Sequence, residues 1–449
     1  MHDDLKSAVA ADMPRLKELL ATLIRMESVS ADGYDPAGVR TAGETIVKKL
    51  DEAGFDNARL LESSTGHPAV FAEKPGPAGA PTVLLYAHYD VQPPGPIEEW
   101  ETGPFEPFEK DGRIYGRGAS DDKAGIVMHL GAIAAHAENG LPVGVQLFLE
   151  GEEEAGSVGL PEILEKHSDL LAPDVIVIGD GGNWEEGTPA YISSLRGIVA
   201  VKLELRTLES AVHSGQYGGV VPDALMALSR LLATLHDDEG NVAVPGLVSE
   251  EVEDVPEVSE QRARAETGAI EGLELIGMGT IPSRLWSRPA LSILAIDAPG
   301  TTEAINQLVP VARAKVSMRI PPGQDTEAAL KALKDHLMAN VPWGAELSFF
   351  HEEKGDATVL GSDNFAVDIW REAFLEAFGS EAVEMGAGGS IPFIATFSEM
   401  FPNAPILVVG AADPKSAFHA PNESQSVADL EKATLSEAIA LRLLAERGV

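Results

Sequence analysis

The chain has 449 residues, a formal net charge of −38 and no cysteine. So negative a charge argues against binding to nucleic acid or to an anionic membrane surface, because the long-range field repels both. The lack of cysteine excludes disulfides, thiolate metal sites and cysteine nucleophiles, so any metal must be held by His, Asp and Glu. A single hydrophobic core stops growing at about 250–300 residues, so we expect two domains.

The first predicted element is an amphipathic helix over Met1–Arg25. This segment has neither the basic start nor the apolar core of a signal peptide. No part of the sequence has the ~18 consecutive apolar residues that a membrane span needs. We therefore expect a cytoplasmic protein that does not associate with a membrane.

Short apolar runs then alternate with helical patterns, which is typical of an α/β layer structure. The predicted strands are Thr82–Tyr86, Val145–Glu150 and Asp174–Ile178. The predicted helices are Val39–Ala53 and Asp122–Ala137. In open α/β sheets ligands bind at the carboxyl ends of strands. His88, Glu153 and Asp180, which follow the predicted strands, are therefore expected to converge on one crevice.

Near Leu195 the pattern changes to that of a small α+β domain, which we place at residues 196–321. Its predicted elements are a strand at Gly197–Leu205, a helix at Pro222–Leu235, an acidic and poorly patterned stretch at Asp237–Thr267, and strands at Leu291–Ile296 and Ala314–Ile320 bracketing a helix at Thr302–Leu308. The larger domain, residues 1–195 and 322–449, then resumes with helices at Thr326–Ala339, Asn364–Phe378 and Val427–Arg447 and strands at Glu346–Phe350 and Pro405–Val409.

Two segments of the larger domain carry candidate metal ligands beside apolar runs. His88 and Asp90 lie two apart in a strand and share a face, so Asp90 can fix one ring nitrogen of His88 and leave the other for a metal. Asp121 lies in a glycine-rich turn before a helix, and its carboxylate has two oxygens with which to bridge two cations. Taken singly, each has an ordinary interpretation: a strand-end histidine, and a capped helix start.

Three consecutive carboxylates, Glu152 to Glu154, follow another apolar run. If they are buried, a nearby cation is needed to offset their mutual repulsion, whereas on a solvated loop they cost little. Asp180 follows a strand, and His419 lies in a loop before the last helix. Two histidines with several carboxylates and no cysteine form the ligand set of a hydrolytic zinc or manganese centre.

The order and context of these segments resemble the dinuclear zinc peptidase family that includes carboxypeptidase G, succinyl-diaminopimelate desuccinylase, aminoacylase and the carnosinase-type dipeptidases. The likeness covers essentially the whole chain and is greatest to the last group. It is carried by His88–Pro93, Tyr115–Gly118, Glu153–Ser157 and Gly388–Pro392.

The resemblance implies a zinc-peptidase catalytic domain, with a mixed sheet flanked by helices, and an inserted α+β domain that dimerises or acts as a lid. It implies a metal-dependent dipeptidase that cleaves the amide bond of a small peptide with water activated by two zinc ions, manganese or cobalt being possible substitutes. It also implies a homodimer formed through the inserted domain.

Carried over by position, the resemblance assigns His88 and Asp180 to one zinc, Glu154 and His419 to the other, and Asp121 as the bridge. It also implies a cis peptide bond after Asp121. The further roles that it implies are Glu153 as general base, Asp90 as partner of His88, His213 as a residue that in dimeric relatives reaches the active site of the partner subunit, and Arg319 and Ser390 as substrate contacts.

Three alternative functions are compatible with parts of this sequence. An N-acyl-amino-acid deacylase or a desuccinylase would use the same site on a different substrate. A non-catalytic binding protein could retain the fold, although all the proposed ligands and the base are present. An acidic scaffold would explain the charge but none of the motifs.

Overall fold

The structure is a computed structural model that describes residues 2–253, 255–389 and 392–448. The strands are β1 (Asp56–Leu61), β2 (Ala69–Lys74), β3 (Thr82–His88), β4 (Phe108–Lys110), β5 (Arg113–Tyr115), β6 (Gly144–Glu150), β7 (Val175–Ile178), β8 (Ala190–Leu195), β9 (Gly197–Arg206), β10 (Val212–His213), β11 (Ala290–Asp297), β12 (Gln307–Leu308), β13 (Val311–Ile320), β14 (Glu346–Gly355), β15 (Thr358–Val359), β16 (Val383–Ala387), β17 (Ile406–Val408) and β18 (Ser424–Ser426). The helices are α1 (Asp3–Ile24), α2 (Pro36–Glu52), α3 (Lys123–Ala134), α4 (Leu160–His167), α5 (Ser214–Tyr217), α6 (Ala224–Ala233), α7 (Glu260–Thr267), α8 (Ile281–Trp286), α9 (Thr326–Ala339), α10 (Phe365–Phe378), α11 (Pro392–Met400) and α12 (Val427–Arg447).

The chain forms two compact units. The first comprises Met1–Ser193, Leu360–Met385 and Ile391–Val449, and the second comprises Ser194–Val359 and Gly386–Ser390.

The central sheet of the first unit follows the order β1-β2-β6-β3-β7-β17-β8. Strand β3 pairs in parallel with β6 and β7, and β17 pairs in parallel with β7, whereas β2 is antiparallel to both β1 and β6. This is the mixed α/β sheet that the sequence predicted. The three predicted strands in the first part of the chain are present, and each ends within two residues of its predicted end.

Strands β3, β6 and β7 are nearly continuous runs of apolar residues because both faces of a parallel sheet are covered. Helix α3 packs against β3, α1 and α12, and it is buried along most of its length. Asp122 caps the start of α3 by accepting a hydrogen bond from the Gly125 N–H at 3.2 Å. This packing fixes the start of α3, and with it the turn that carries Asp121, against the carboxyl end of β3.

The second unit contains a four-stranded antiparallel sheet in the order β11-β13-β9-β14, as expected of an α+β domain. One face of this sheet packs against α6 and α9, whose leucines join the strand residues in a single apolar core. The outer strand β11 is exposed over most of its length.

The second unit ends later than the predicted limit at residue 321. Strand β14 pairs with β9 along almost its whole length, and Leu330, Leu333 and Leu337 of α9 lie in the core of the second unit. The sequence predicted both elements but assigned them to the larger domain, because periodicity alone does not indicate which sheet a strand will join.

The predicted helix at Thr302–Leu308 is wrong. The N–H groups of Glu303 and Ala304 both bond to the Gly300 carbonyl, and this turn does not continue into a helix. Residues Gln307–Leu308 form strand β12 instead, paired with β10. The competing ladder to β10 therefore overrides the weak helical spacing of this segment.

Among the described residues, no helix combines the length and the apolar character that crossing a membrane requires.

Candidate metal centre

Strand ends of the first unit bring the candidate ligands together. His88 is the last residue of β3, and it lies opposite Glu150, the last residue of β6. Glu153 and Glu154 follow in a single 3-10 turn, and Asp180 comes two residues after β7. Because β3, β6 and β7 run parallel, their carboxyl ends meet at one edge of the sheet, as the sequence predicted.

Asp121 lies between two imidazole rings from distant parts of the chain. Its Oδ1 is 3.1 Å from Nε2 of His88, and its Oδ2 is 3.0 Å from Nε2 of His419. The peptide bond between Asp121 and Asp122 is cis, as the family resemblance implied. One carboxylate therefore presents one oxygen to each histidine.

Two groups of potential ligands share Asp121. The first consists of His88, Asp121 and Asp180, the second of Asp121, Glu154 and His419, and within each group the ligand atoms all lie within 4.8 Å of one another. Each group offers one imidazole nitrogen and carboxylate oxygens, the donors that zinc, manganese and cobalt accept. The arrangement fits two divalent cations with one carboxylate in common.

Several titratable groups in the site have pKa values that differ from their ordinary ones. Hydrogen bonds that the His419 ring donates to the carboxylates of Asp121 and Glu154 raise the pKa of His419 to about 10. Burial by itself would raise the pKa of Asp121, but His419 and His88 outweigh burial, and the pKa of Asp121 lies below its usual range. Burial raises the pKa of Asp180 well above its ordinary value, and the neighbouring carboxylates raise it further. A bound cation would offset this repulsion between carboxylates.

Glu153 lies beside the two ligand groups but belongs to neither. Burial raises the pKa of its carboxyl well above the ordinary value, His88 opposes that shift, and the carboxylates of Asp180, Glu154 and Asp90 add to it. A carboxyl group with a raised pKa can both accept and return a proton near neutral pH.

Asp90 supports the site through more contacts than the sequence suggested. Its carboxylate accepts hydrogen bonds from the Ser30 hydroxyl at 2.6 Å, from the Glu153 N–H at 3.2 Å and from the Glu154 N–H at 3.1 Å. Nδ1 of His88 lies 3.1 Å from the backbone oxygen of Asp90 and 3.4 Å from the carboxylate. Asp90 therefore fixes both the His88 ring and the turn that carries the two glutamates.

Sequence reasoning did not predict several residues that support the ligands, among them Ser30, Gln92 and Asp122. Ser30 donates to Asp90, as described above. The Gln92 amide donates to Oε2 of Glu154 at 2.8 Å, and Oδ2 of Asp122 accepts from the His88 N–H at 3.2 Å. Gln92 lies in the motif that begins at His88, and Asp122 directly follows Asp121, but only the folded chain shows which group each of them contacts.

The predicted substrate contacts belong to other segments of the chain than the candidate ligands. His213 ends β10 in the second unit, where its Nδ1 accepts the Gly215 N–H at 3.1 Å and its side chain is exposed. Arg319 lies on β13 of the same unit, opposite Ile198 of β9 and Ala290 of β11. Ser390 lies outside the described residues.

The fold and the two ligand groups define a metal-dependent hydrolase, and comparison with known proteins assigns its family. Residues 84–441 match the model of Peptidase family M20/M25/M40. The chain belongs to this family and is a metallopeptidase, which confirms the family predicted from the motifs.

Individual relatives resemble the chain over most of its length. It is 32% identical to the Cysteinylglycine-S-conjugate dipeptidase of Corynebacterium striatum over 402 residues, which cover 88% of each chain. It is 29% identical to the Beta-Ala-His dipeptidase of Homo sapiens over 453 residues, covering 93% of this chain and 84% of the relative. The solved structure of the dipeptidase Dug1p from Saccharomyces cerevisiae superposes with a TM-score of 0.85 at 23% identity, covers 100% of this chain and 99% of that one, and shows the same fold.

Proposed function

We propose that this metallopeptidase hydrolyses the amide bond of dipeptides with two divalent metal ions. His88 and Asp180 would hold one ion, Glu154 and His419 would hold the other, and Asp121 would be shared between the two groups of ligands. The observation that carries this proposal is the position of Asp121, whose two oxygens lie 3.1 and 3.0 Å from two imidazoles on separate parts of the chain. The relatives from Corynebacterium striatum and Homo sapiens, both dipeptidases by name, support the substrate class.

When bound, divalent cations in this site would polarise the scissile carbonyl and acidify the attacking water. Glu153 accepts the proton of that water and returns it to the leaving amine. The hydrogen bond from the Glu153 N–H to the carboxylate of Asp90 fixes the backbone of this base, while its side chain remains free to exchange the proton. Zinc is the metal we propose, with manganese or cobalt as substitutes that the same donors accept.

For substrate recognition we propose Arg319, His213 and Ser390. Burial lowers the pKa of Arg319, and among the described residues no carboxylate pairs with its guanidinium. An unpaired arginine of this kind can bind the free C-terminal carboxylate of a dipeptide through two parallel hydrogen bonds. The proposal for Ser390 is supported by the sequence resemblance alone.

A chelator experiment tests the activity. The purified protein is assayed on dipeptides and on N-acyl amino acids, first with a chelator and then with zinc, manganese or cobalt restored. We expect the chelator to abolish dipeptide cleavage, metal to restore it, and acyl amino acids to be poor substrates. Dipeptide cleavage by metal-free protein would contradict the metal mechanism, and cleavage of acyl amino acids alone would contradict the substrate class.

We also propose that the second unit forms a homodimer through the edge of its sheet. In the described part of the chain no strand pairs with the outer edge of β11, and this strand exposes Ile293, Leu294 and Ile296. An unpaired, apolar strand edge is a template for pairing with a second chain. We expect Leu294→Lys to shift a dimer to a monomer in light scattering, whereas Met338→Lys, at an exposed position on α9, leaves the dimer intact. A monomeric unmodified protein would refute the proposal.

A further inference from the structure

The loop that carries His419 also carries a carboxylate with no assigned role, that of Glu423. Its side chain is completely buried. Oε1 accepts hydrogen bonds from the N–H groups of Ser120 at 2.9 Å and Asp121 at 3.1 Å. Two successive peptide groups, including that of the shared ligand Asp121, are thus held by one oxygen atom.

The other oxygen of Glu423 holds the preceding part of the same turn. Oε2 accepts from the Gly118 N–H at 3.0 Å and from Nη1 of Arg117 at 2.7 Å. The backbone oxygen of Glu423 accepts from the Gly116 N–H at 2.9 Å. Both carboxylate oxygens, and the carbonyl of the same residue, are therefore directed at the short segment from Gly116 to Asp121.

Backbone N–H groups that converge on one point form a concave binding site for an anion. In this turn the left-handed conformation of Gly118, at φ 77°, belongs to such a concave arrangement. The chain fills the site with its own carboxylate, and the buried guanidinium of Arg117 balances the charge. Arg117 is fixed in turn by the Pro93 carbonyl at 3.2 Å and by the ring of Trp100, 5.4 Å from its guanidinium carbon.

This network joins the two segments from which Asp121 and His419 project. A second link, between the Ser120 hydroxyl and the Gln425 side chain at 2.9 Å, lies beside it. We propose that Glu423 is a positioning residue of the metal centre. The Glu423 carboxylate sets the backbone of Asp121 relative to the loop of His419, so that the Asp121 carboxylate can be shared between the two ligand groups. The inference rests on the proposed function, because it takes Asp121 and His419 as ligands.

The substitution Glu423→Gln in the full chain tests this role. Glutamine has nearly the same shape, but its NH₂ group faces N–H donors where a carboxylate oxygen accepted, and Arg117 loses its counter-ion. Partners that orient metal ligands typically contribute about 10- to 100-fold to metal affinity. We expect a loss of this size for at least one zinc ion in a competition titration with a chromogenic chelator. We also expect a changed visible absorption spectrum of the cobalt-loaded protein.

Glu437→Gln is the matched control. Glu437 is also a buried carboxylate of the first unit, and it pairs with the buried ring of His129 at 2.8 Å. Among the described residues, its hydrogen bonds go to His129 and not to the turn before Asp121. This control should lower the melting temperature while leaving the zinc affinity and the cobalt spectrum unchanged. If the role of Glu423 were purely structural, Glu423→Gln would likewise lower the melting temperature and leave the zinc affinity and the cobalt spectrum unchanged.

The outcomes separate the inference from the proposed function. If the unmodified protein binds neither zinc nor manganese nor cobalt, the proposed function fails. If the unmodified protein binds two zinc ions and folded Glu423→Gln matches its affinity and its cobalt spectrum, the inference is overturned. If Glu423→Gln does not fold, Glu423→Asp decides: it keeps the charge but cannot reach all four donors, so weaker zinc binding supports the inference and unchanged binding overturns it.

Discussion

The sharpest test of the proposed mechanism is the substitution Glu153→Gln. Glu153 is adjacent to the ligand Glu154, yet its carboxylate is in neither of the two ligand groups. The turn around it is held by its backbone N–H bonding to Asp90, which the substitution leaves in place. An amide of nearly the same shape thus removes the proton-accepting oxygen and little else.

The size of the effect follows from the role assigned to Glu153. Proton transfer by a positioned side chain contributes typically about 10²- to 10⁴-fold to an enzymatic rate. Losing it raises the activation barrier by about 2.7–5.5 kcal/mol. We expect kcat on a dipeptide to fall by this factor, whereas the zinc content per chain stays unchanged, because no ligand has been removed.

The assay pairs steady-state kinetics with metal analysis of the same sample by mass spectrometry. Glu165→Gln is the matched control, since Glu165 is an exposed glutamate on α4 of the same unit, and this variant should keep both kcat and zinc. Near-normal turnover in Glu153→Gln would refute the role of general base. A parallel loss of zinc and activity would show instead that Glu153 is a ligand.

Three further predictions concern the metal site and the buried core. Asp121→Ala removes a ligand from both groups and should cost at least one of the two ions, so two zinc ions per chain in that variant would contradict the bridging role. The hydrogen bonds that raise the pKa of His419 to about 10 keep the ring protonated in the metal-free protein. Zinc must displace that proton, so the affinity for zinc should fall as the pH falls. Calorimetry in two buffers should detect the release of about one proton or more per chain, and zinc binding that does not depend on pH would refute this prediction. Glu437→Gln breaks a buried ion pair and should reduce the free energy of unfolding by roughly 3–5 kcal/mol. Burial lowers the pKa of His129, but Glu437 outweighs burial and raises it overall. The pair therefore stabilises the fold fully below about pH 6.5 and less as the pH rises through the folded pKa of His129, and urea unfolding at pH 6 and pH 9 should show a smaller effect of the substitution at pH 9.

The sequence by itself determined the central strands and where the chemistry lies along the chain. Runs such as Val83–Tyr86 and Val175–Ile178 are apolar because both faces of the sheet are covered, and such runs are legible without a structure. Polar residues directly after them indicated a site at the carboxyl edge of the sheet. The motifs around His88 and Glu153 then indicated the family, because several separated segments matched in order.

Only the tertiary structure decided which elements and side chains meet. Local periodicity reports how exposed each residue is but not which partner covers it, so α9 was assigned to the larger domain and a helix was predicted where β12 pairs with β10. For the same reason the role of Glu423 could not be predicted from the sequence, because Glu423 lies about 300 residues from the turn to which its carboxylate bonds. Asp121 likewise lies 33 residues from His88 and 298 residues from His419, and their meeting depends on how the whole sheet and its helices pack.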